Sequence, residues 1–146
     1  MSKLYLAGPM TNIPQFNFPL FHRAAKYLRG QGYDIVSPAE MDSPAVQAAA
    51  MASPDGKLDA SHKIAGETWG QILAKDVMLV ADEIDGIVFL PGWDKSRGAN
   101  LEATVGLLVN AREFTFYRFD PETGTVFETP KFMILDALHR AMGERL

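Results

Sequence analysis

The segment PGWDKSRGANLE, residues 91–102, places charged side chains and two glycines directly after the apolar run DGIVFL. Ser96, Gly98 and Ala99 fall where a helix is expected to begin, and the free N–H groups and the dipole of a helix start favour an anion. Ser96 adds a hydroxyl group, and Arg97 either adds charge or faces water. The segment lacks the full P-loop and dinucleotide-binding patterns. It therefore predicts an anion seat, Ser96 to Ala99, with phosphate as a candidate ligand.

Glu102 follows the anion seat in the same predicted helix. One interpretation is structural, because an acidic residue in a first helical turn complements the helix dipole. A capping box would need Ser, Thr, Asp or Asn three residues earlier, but Ala99 stands there. The Glu102 carboxylate is therefore a candidate for chemistry.

Asp76 is the second candidate carboxylate. It lies between Leu73 and Val77, near the apolar stripe of a predicted helix, where an unpartnered carboxylate is costly to bury. The alternative is a position on the flank of a solvated face. Trp69 and Trp93 are candidates for a base pocket or for the core. Two carboxylates, an anion seat and aromatic residues near strand ends suggest chemistry on a phosphorylated substrate that contains a ring.

Two loops are predicted to carry the ligand, because ligands of open α/β sheets bind at the carboxyl ends of the strands. They are residues 8–17 and 91–99, and we expect them to lie close together. In the first loop, Gly8 permits close backbone approach and Thr11 and Asn12 offer hydrogen bonds, with a plain Gly-Pro turn as the alternative. The residues predicted to contact substrate are Gly8, Pro9, Met10, Asn12, Trp93, Ser96, Arg97, Gly98 and Ala99.

Apolar periodicity predicts strands that alternate with helices. The predicted strands are residues 3–7, the segment YDIVSP, which ends at Pro38, residues 86–90, and the segment EFTFYRF. After the turn DPETGT, the segment VFE is predicted to form a short paired strand. The predicted helices run from Phe18 to the glycines of RGQG, from 68 to 82, through Leu101, Val105 and Leu108, and from 130 to 143. Continuous apolar strands between helices indicate a mostly parallel sheet covered on both faces. The predicted fold is a small doubly wound α/β sandwich.

Residues 41–66 interrupt this alternation. They are rich in Ala, Ser, Pro, Gly and Asp and keep no clean period. We predict a long mobile insertion with one helical turn, of the kind that often acts as a lid. The sequence indicates no role for any residue of the insertion.

Composition narrows the class of protein. The chain has 146 residues, 47% of them hydrophobic, which suits one domain over residues 1–146. It has no cysteine, and its three histidines lack metal-ligand spacing, so no metal or other cofactor is expected. The net charge of −4, without a long basic stretch, disfavours a nucleic acid partner. No segment resembles a signal peptide or a membrane span, so a cytoplasmic location and no membrane partner are expected.

Four stretches together resemble one family: KLYLAGPMTN, FNFPLFHRAAKYLRGQGYDIVSPAE, KDVMLVADEIDGIVFLPGW and KSRGANLEATVGLL. They are similar to the nucleoside 2-deoxyribosyltransferase-like superfamily, and most closely to its short YLAGPM…GWxKSRGAxxE branch, related to the 2′-deoxynucleoside 5′-monophosphate N-hydrolases. The resemblance implies a flavodoxin-like or Rossmann-like fold. It also implies cleavage of the N-glycosidic bond of (deoxy)nucleosides or their 5′-monophosphates, with the sugar passed to water or to another base.

The resemblance implies roles for particular residues. Glu102 matches the catalytic glutamate that attacks the anomeric carbon, and Asp76 matches the aspartate that contacts the base or assists its departure. Tyr5 matches the tyrosine that positions the nucleophile. Ser96 and Gly98 match the S-x-G of the nucleotide hydrolases, which binds the 5′-phosphate; the nucleoside transferases more often have aspartate at the serine position.

The function expected from this resemblance is hydrolysis of a (2′-deoxy)nucleoside 5′-monophosphate to free base and (deoxy)ribose 5-phosphate. The first loop, GPMTNIPQFNFP, is bulkier than the glycine- and serine-rich segment usual in the hydrolases, so it implies a partial phosphate site. Base exchange between nucleosides is the close alternative. A nucleotide-binding module without turnover and a structural assembly protein are the others. The resemblance also implies a homodimer or larger homo-oligomer, in which the partner subunit helps to close the site.

Overall fold

The computed structural model describes residues 2–109 and 112–145, in which strands alternate with helices. The strands are β1 Lys3–Ala7, β2 Asp34–Val36, β3 Lys63–Ile64, β4 Glu67–Thr68, β5 Gly86–Phe89, β6 Thr115–Asp120 and β7 Thr125–Thr129. The helices are α1 Phe18–Gly30, α2 Pro38–Met41, α3 Pro44–Ala52, α4 Trp69–Asp82, α5 Arg97–Leu108 and α6 Lys131–Arg145. No helix of this described part is long and apolar enough to cross a bilayer.

The central sheet has five strands in the order β2-β1-β5-β6-β7. Its first four strands are parallel, and β7 closes one edge antiparallel to β6. The chain passes from β1 outward to β2 and then crosses to β5 on the other side of β1, so the strand order reverses between β1 and β5. This arrangement confirms the predicted doubly wound α/β fold, and it puts the carboxyl ends of β1 and β5 at the switch point where such sheets bind ligands.

Alternate residues of β1 enter two separate core layers. Leu4 and Leu6 pack in the layer that contains the buried face of α1. Tyr5 and Ala7 pack in the opposite layer, with buried residues of α5 and α6 and with Val80 of α4. Because a strand points successive side chains to opposite faces, the continuous apolar run of β1 is required by helices on both sides. Tyr5 is thereby held on the face that carries α4 and α5.

The insertion contains more regular structure than predicted. The expectation of one helical turn in residues 41–66 is wrong, because α3 is nine residues long and β3 and β4 form a hairpin. Ser43 caps α3 by accepting a hydrogen bond from the Val46 N–H group at 3.3 Å, and proline occupies the first turn. Alanines between the cap and the hairpin hide the helical period, since only Val46 and Ala50 of α3 are buried.

The insertion is joined to the first loop by backbone hydrogen bonds. The Asn12 N–H group donates to the Gly56 carbonyl at 2.9 Å, and the Gln15 N–H group donates to the Ser53 carbonyl at 2.9 Å. Gly56 has a φ of +68°, and a Cβ atom there would lie 1.9 Å from the Ile13 carbonyl oxygen, so only glycine fits. The insertion therefore forms one wall above the carboxyl edge of the sheet.

Candidate active site

The two loops predicted to meet do so at one cavity of about 210 Å³ above the carboxyl ends of β1 and β5. The first loop, the insertion, α4 and the start of α5 supply its walls. A Cβ atom added to Gly92 would lie 3.4 Å from Pro9 Cγ, which shows how closely the loops approach. Eleven of the twelve predicted site residues line the cavity: Tyr5, Gly8, Pro9, Met10, Asn12, Asp76, Ser96, Arg97, Gly98, Ala99 and Glu102.

Trp93 is the exception. Its ring stacks on Phe89 at a centroid distance of 4.0 Å and is buried in the core. It lines a separate cavity of about 280 Å³ beside α6, so the expectation that it walls the substrate site is wrong. Gly92, with a φ of +82°, turns the chain and sends the next residue into the core. Trp69 lines the cavity at the strand ends instead.

One face of α4 runs beside one face of α5 along the cavity. Trp69, Leu73 and Asp76 are spaced at i, i+4 and i+7, which places them on the same face of α4. Gly98 and Glu102 are spaced at i and i+4 on α5, about 6 Å apart along the helix axis. The Arg97 guanidinium lies 5.5 Å from the Trp69 ring centroid, and a Cβ atom at Gly98 would lie 3.6 Å from Leu73 Cδ1. Where α4 and α5 run side by side, the anion seat lies at the start of α5. The two carboxylates lie one helical turn further in.

Glu102 is buried, with 5% of its surface exposed, and its carboxylate faces the cavity. Because α5 begins at Arg97, Glu102 is the sixth helical residue, outside the first turn where it would complement the dipole. No hydrogen bond or ion pair reaches its carboxylate among the residues the structure describes. Burial and the nearby Asp76 carboxylate raise the pKa of Glu102 well above its usual value, with partial opposition from Tyr5.

Asp76 and Tyr5 complete the group around Glu102. Burial raises the pKa of Asp76 to about 7, Asp42 adds to the rise, and Tyr5 and Lys75 oppose it. Tyr5 has no exposed surface, and burial raises the pKa of its hydroxyl, as do Glu102 and Asp76. That hydroxyl lies close to both carboxyl groups but forms no hydrogen bond of normal geometry within the described residues. It is free to donate to either one.

Asp42 is a third carboxylate on the cavity, and sequence reasoning missed it. It follows α2 at the start of the insertion and is 8% exposed. Burial raises its pKa to about 6, Lys75 opposes the rise, and Glu67 adds to it. No signal in the sequence separates Asp42 from an ordinary loop aspartate, because its burial depends on α3 and the hairpin folding over the sheet.

The residues of the predicted anion seat lie at the start of α5. Ser96 is the N-cap, and its hydroxyl oxygen accepts from the Ala99 N–H group at 3.3 Å, which leaves its proton available to a ligand. No protein acceptor takes the N–H groups of Arg97 and Gly98 within the described residues. Lys95 and Arg145 join Arg97 at the cavity wall, and Arg145 donates to the Lys95 carbonyl at 2.8 Å. Arg145, near the end of the chain, is a site residue that sequence reasoning missed.

The first loop is shaped by packing as well as by the cavity. A Cβ atom at Gly8 would lie 2.9 Å from Leu90 Cβ, so this glycine is required by the close approach of β1 and β5. Asn17 donates from its amide to the Pro9 carbonyl at 2.9 Å and holds the loop against the strand ends. Phe16 is buried at a φ of +50° and lines the cavity. Strained backbone of this kind concentrates at binding sites.

The donor set of the cavity suits proton transfer and anion binding. No group of three or more His, Cys, Asp or Glu residues in the described ranges is arranged to hold a metal ion. What the cavity presents is a seat of N–H groups and cations at one end and three carboxyl groups with a tyrosine hydroxyl deeper in. Such an arrangement can bind an anionic group and protonate or attack an atom held beside it.

Comparison with known proteins identifies a family but no activity. No curated protein matches the chain. A family model described as "Domain of unknown function (DUF4406)" matches residues 2–111. The matched residues include every residue that lines the cavity at the strand ends except Arg145. The chain therefore belongs to the DUF4406 family.

Proposed function

We propose that this protein hydrolyses the N-glycosidic bond of a (2′-deoxy)nucleoside 5′-monophosphate, releasing the free base and (deoxy)ribose 5-phosphate. The observation that carries the proposal is the position of Glu102. Its buried carboxylate opens into the cavity one helical turn beyond an anion seat, with a second carboxyl group and a tyrosine hydroxyl close by. The resemblance to the nucleoside 2-deoxyribosyltransferase-like superfamily supports the same assignment.

The reaction proceeds in two steps. A Glu102 carboxylate oxygen attacks C1′ of the sugar, the C1′–N bond breaks, and the base takes both bonding electrons together with a proton from Asp76. The oxocarbenium-like transition state is stabilised by the Glu102 carboxylate beneath it. Water, deprotonated by Asp76, then attacks C1′ of the glycosyl-enzyme, and Glu102 is released as a carboxylate. Another base in place of water would give transfer.

The proton must lie on Asp76 when Glu102 attacks. In the empty cavity burial favours the proton on Glu102, the more deeply buried group. Tyr5 offers a route between the two carboxyl groups, because its hydroxyl lies close to both and has no other partner within the described residues. Positive charge develops on the sugar as the C1′–N bond begins to break. That charge stabilises ionised Glu102 and draws the proton toward Asp76.

The anion seat supplies binding energy at a distance from the bond that breaks. Ser96, the two free N–H groups and the surrounding cations would hold the 5′-phosphate. Gly98 and Glu102 are about 6 Å apart along α5. Side chains of a helix lean toward its N-terminus, so the Glu102 carboxylate points back toward the seat. Phosphate binding would thus position C1′ over the nucleophile.

Replacing Ser96 by aspartate tests the phosphate preference. We expect Ser96→Asp to lower kcat/KM for nucleoside monophosphates by roughly 10²-fold, because a carboxylate about 4 Å from phosphate repels it by a few kcal/mol. Ser96→Asn is the matched control, since Asn and Asp cap helices equally well but Asn carries no charge. Cleavage of nucleosides without phosphate should be unaffected by either change. No loss in either variant would show that Ser96 serves only as a cap, and equal losses in both would show that repulsion between the new carboxylate and the phosphate is not the cause.

Product analysis tests the reaction itself. The protein is incubated with deoxynucleoside monophosphates, with and without a second free base, and the products are separated by chromatography. Free base and deoxyribose 5-phosphate in equal amounts support hydrolysis. A new nucleotide containing the added base would assign transfer instead. Tight nucleotide binding without any product would assign a binding module and contradict the proposed enzyme.

We further propose that the protein is a homodimer or larger homo-oligomer that associates through α6. Phe132, Leu135 and Met142 form one apolar stripe on α6, with 71%, 61% and 50% of their surfaces exposed. Phe127 of the edge strand β7 is 47% exposed. Several exposed apolar side chains on one helix face are typical of association sites.

A charge on the α6 stripe tests this association. Leu135→Glu is expected to shift the sedimentation coefficient to that of a monomer, whereas Glu144→Lys, an exposed change on the same helix, should not. Both variants should keep the thermal unfolding transition of a folded protein. A wild-type protein that sediments as a monomer at micromolar concentration would contradict the proposal.

A further inference from the structure

Asp42 has a position that folding alone does not explain. Its carboxylate lines the cavity and forms no hydrogen bond or ion pair with any described residue. Lys75, whose charge acts on Asp42, pairs with Glu67 at 2.8 Å, and Gln47 donates to the Asp42 backbone carbonyl rather than to the side chain. The Asp42 side chain therefore neither caps a helix nor bridges two elements. A buried carboxylate without a protein partner is costly, which points to a partner supplied by the ligand.

Asp42 faces the cavity from the insertion, with Asp76 as its neighbouring carboxyl group. The Asp42 carboxylate is close enough to Asp76 to raise the pKa of that group. Around them the insertion adds apolar side chains, Val46, Leu58 and Ile64. An apolar wall beside two carboxyl groups is suited to a heterocyclic base and its polar edge, and the residues of the anion seat line the same cavity.

We propose that Asp42 selects the leaving base, by accepting a hydrogen bond from an exocyclic amino group that adjoins the ring nitrogen contacted by Asp76. The inference rests on the proposed function and names its substrate class: nucleotides of a 6-aminopurine or a 4-aminopyrimidine. Adenine presents an N6 amino donor beside the acceptor N7, whereas a 6-oxopurine presents two acceptors there. An oxo group facing Asp42 would place two acceptors in contact.

The two carboxyl groups differ in the way this selection requires. Burial raises the pKa of Asp42 to about 6 and that of Asp76 to about 7. Lys75 favours the carboxylate form of Asp42, which is the acceptor, and the Tyr5 hydroxyl beside Asp76 gives that group a route for a proton. One edge of the base then meets an acceptor and a donor side by side. Protonation of the ring nitrogen by Asp76 is the same event that assists departure of the base.

Matched substrate pairs test the proposal. dAMP and dIMP differ at C6 and in the proton on N1 of the purine, which leaves N7 an acceptor in both. dCMP and dUMP differ at C4 and in the proton on N3 of the pyrimidine, so the purine pair isolates the contact with Asp42. We expect wild-type protein to release the amino base of at least one pair about 10- to 100-fold faster, measured as kcat/KM. Asp42→Asn should bring that ratio close to one, chiefly by improving the oxo substrate, because a carboxamide can donate as well as accept. Asp55→Asn, an exposed change in the same insertion, should preserve the ratio.

The outcomes separate this inference from the proposed function. Wild-type cleavage of amino and oxo substrates at equal rates would overturn the role of Asp42 and leave the glycosidase intact. An unchanged ratio in Asp42→Asn would do the same. If no nucleotide is cleaved, the proposed function fails, and the ratio is then read from equilibrium binding of dAMP and dIMP. Equal affinities in that measurement would overturn the selection as well, and Asp42→Ser serves as the second variant if Asp42→Asn does not fold.

Discussion

Glu102→Gln is expected to abolish base release, lowering kcat by more than about 10⁴-fold. Glutamine has nearly the same shape as glutamate but cannot form the glycosyl-enzyme. Nucleotide affinity should stay within a few fold of wild type, since the anion seat is intact. Rates from base-release chromatography and affinities from calorimetry measure the two effects. Glu83→Gln, an exposed change after α4, is the matched control and should retain full activity.

The same variant is expected to be more stable than wild type in alkaline solution. Burial and Asp76 raise the pKa of Glu102 in the folded protein. A carboxyl group with a raised folded pKa contributes stability that is present below its unfolded pKa and is lost as pH rises through the folded pKa. Glu102→Gln removes that loss. At pH 8 its Tm should exceed that of wild type by about 2–8 °C, and at pH 4 the two should coincide.

A stability difference that does not change with pH would contradict the buried, proton-binding character of Glu102. Retained activity in Glu102→Gln would contradict its role as nucleophile. The two results are independent, because the first depends on burial of the carboxylate and the second on its chemistry. If the buried Glu102 carboxylate lowers stability because catalysis needs it, replacing it should lower activity and raise stability in the same variant.

Asp76→Asn is expected to lower kcat for an ordinary nucleotide by about 10²- to 10⁴-fold, the usual contribution of a general acid. The loss should be much smaller for a 7-methylpurine nucleotide, whose base already carries a positive charge and leaves without taking a proton. Asp82→Asn, an exposed change on the same helix, is the matched control. Equal losses for both substrates would show that Asp76 does not protonate the leaving base.

The pH profile gives a second reading of Asp76. Burial raises its pKa to about 7. In the proposed mechanism the acid form of Asp76 is the reactive one. Wild-type kcat/KM should therefore fall as pH rises through about 7. Asp76→Asn should lack this alkaline limb, because asparagine does not titrate. An alkaline limb that persists in the variant would assign the titration to another group.

Much of the fold follows from the apolar pattern. The strands 3–7 and 86–90 were predictable because both of their faces are buried, which leaves an unbroken apolar run. The switch-point rule then brings the two following loops together whatever their sequences are. The anion seat and Glu102 lie in one of these loops and the helix after it, so their proximity could be predicted without knowing any long-range contact.

Residues whose position depends on tertiary packing were not predictable in the same way. Trp69 and Trp93 were both candidates for a base pocket or for the core. Trp69 lines the cavity, whereas Trp93 stacks on Phe89. Asp42 becomes a site residue only because α3 and the β3–β4 hairpin fold over the sheet. Arg145 reaches the cavity from the last helix, where no local pattern marks it. The local sequence predicts where helices and strands lie. Which residues line a site depends on how elements that are distant in sequence pack together.

The central claim is that the Glu102 carboxylate forms a covalent bond to the sugar. A 2′-deoxy-2′-fluoro nucleoside monophosphate slows hydrolysis of such an intermediate, because fluorine destabilises the oxocarbenium-like transition state. Protein incubated with this analogue, quenched in acid and digested, is analysed by peptide mass spectrometry. We predict one modified peptide, carrying the fluorosugar phosphate on Glu102 and absent from Glu102→Gln. An unmodified Glu102 peptide, or a sugar attached to another residue, would contradict the account.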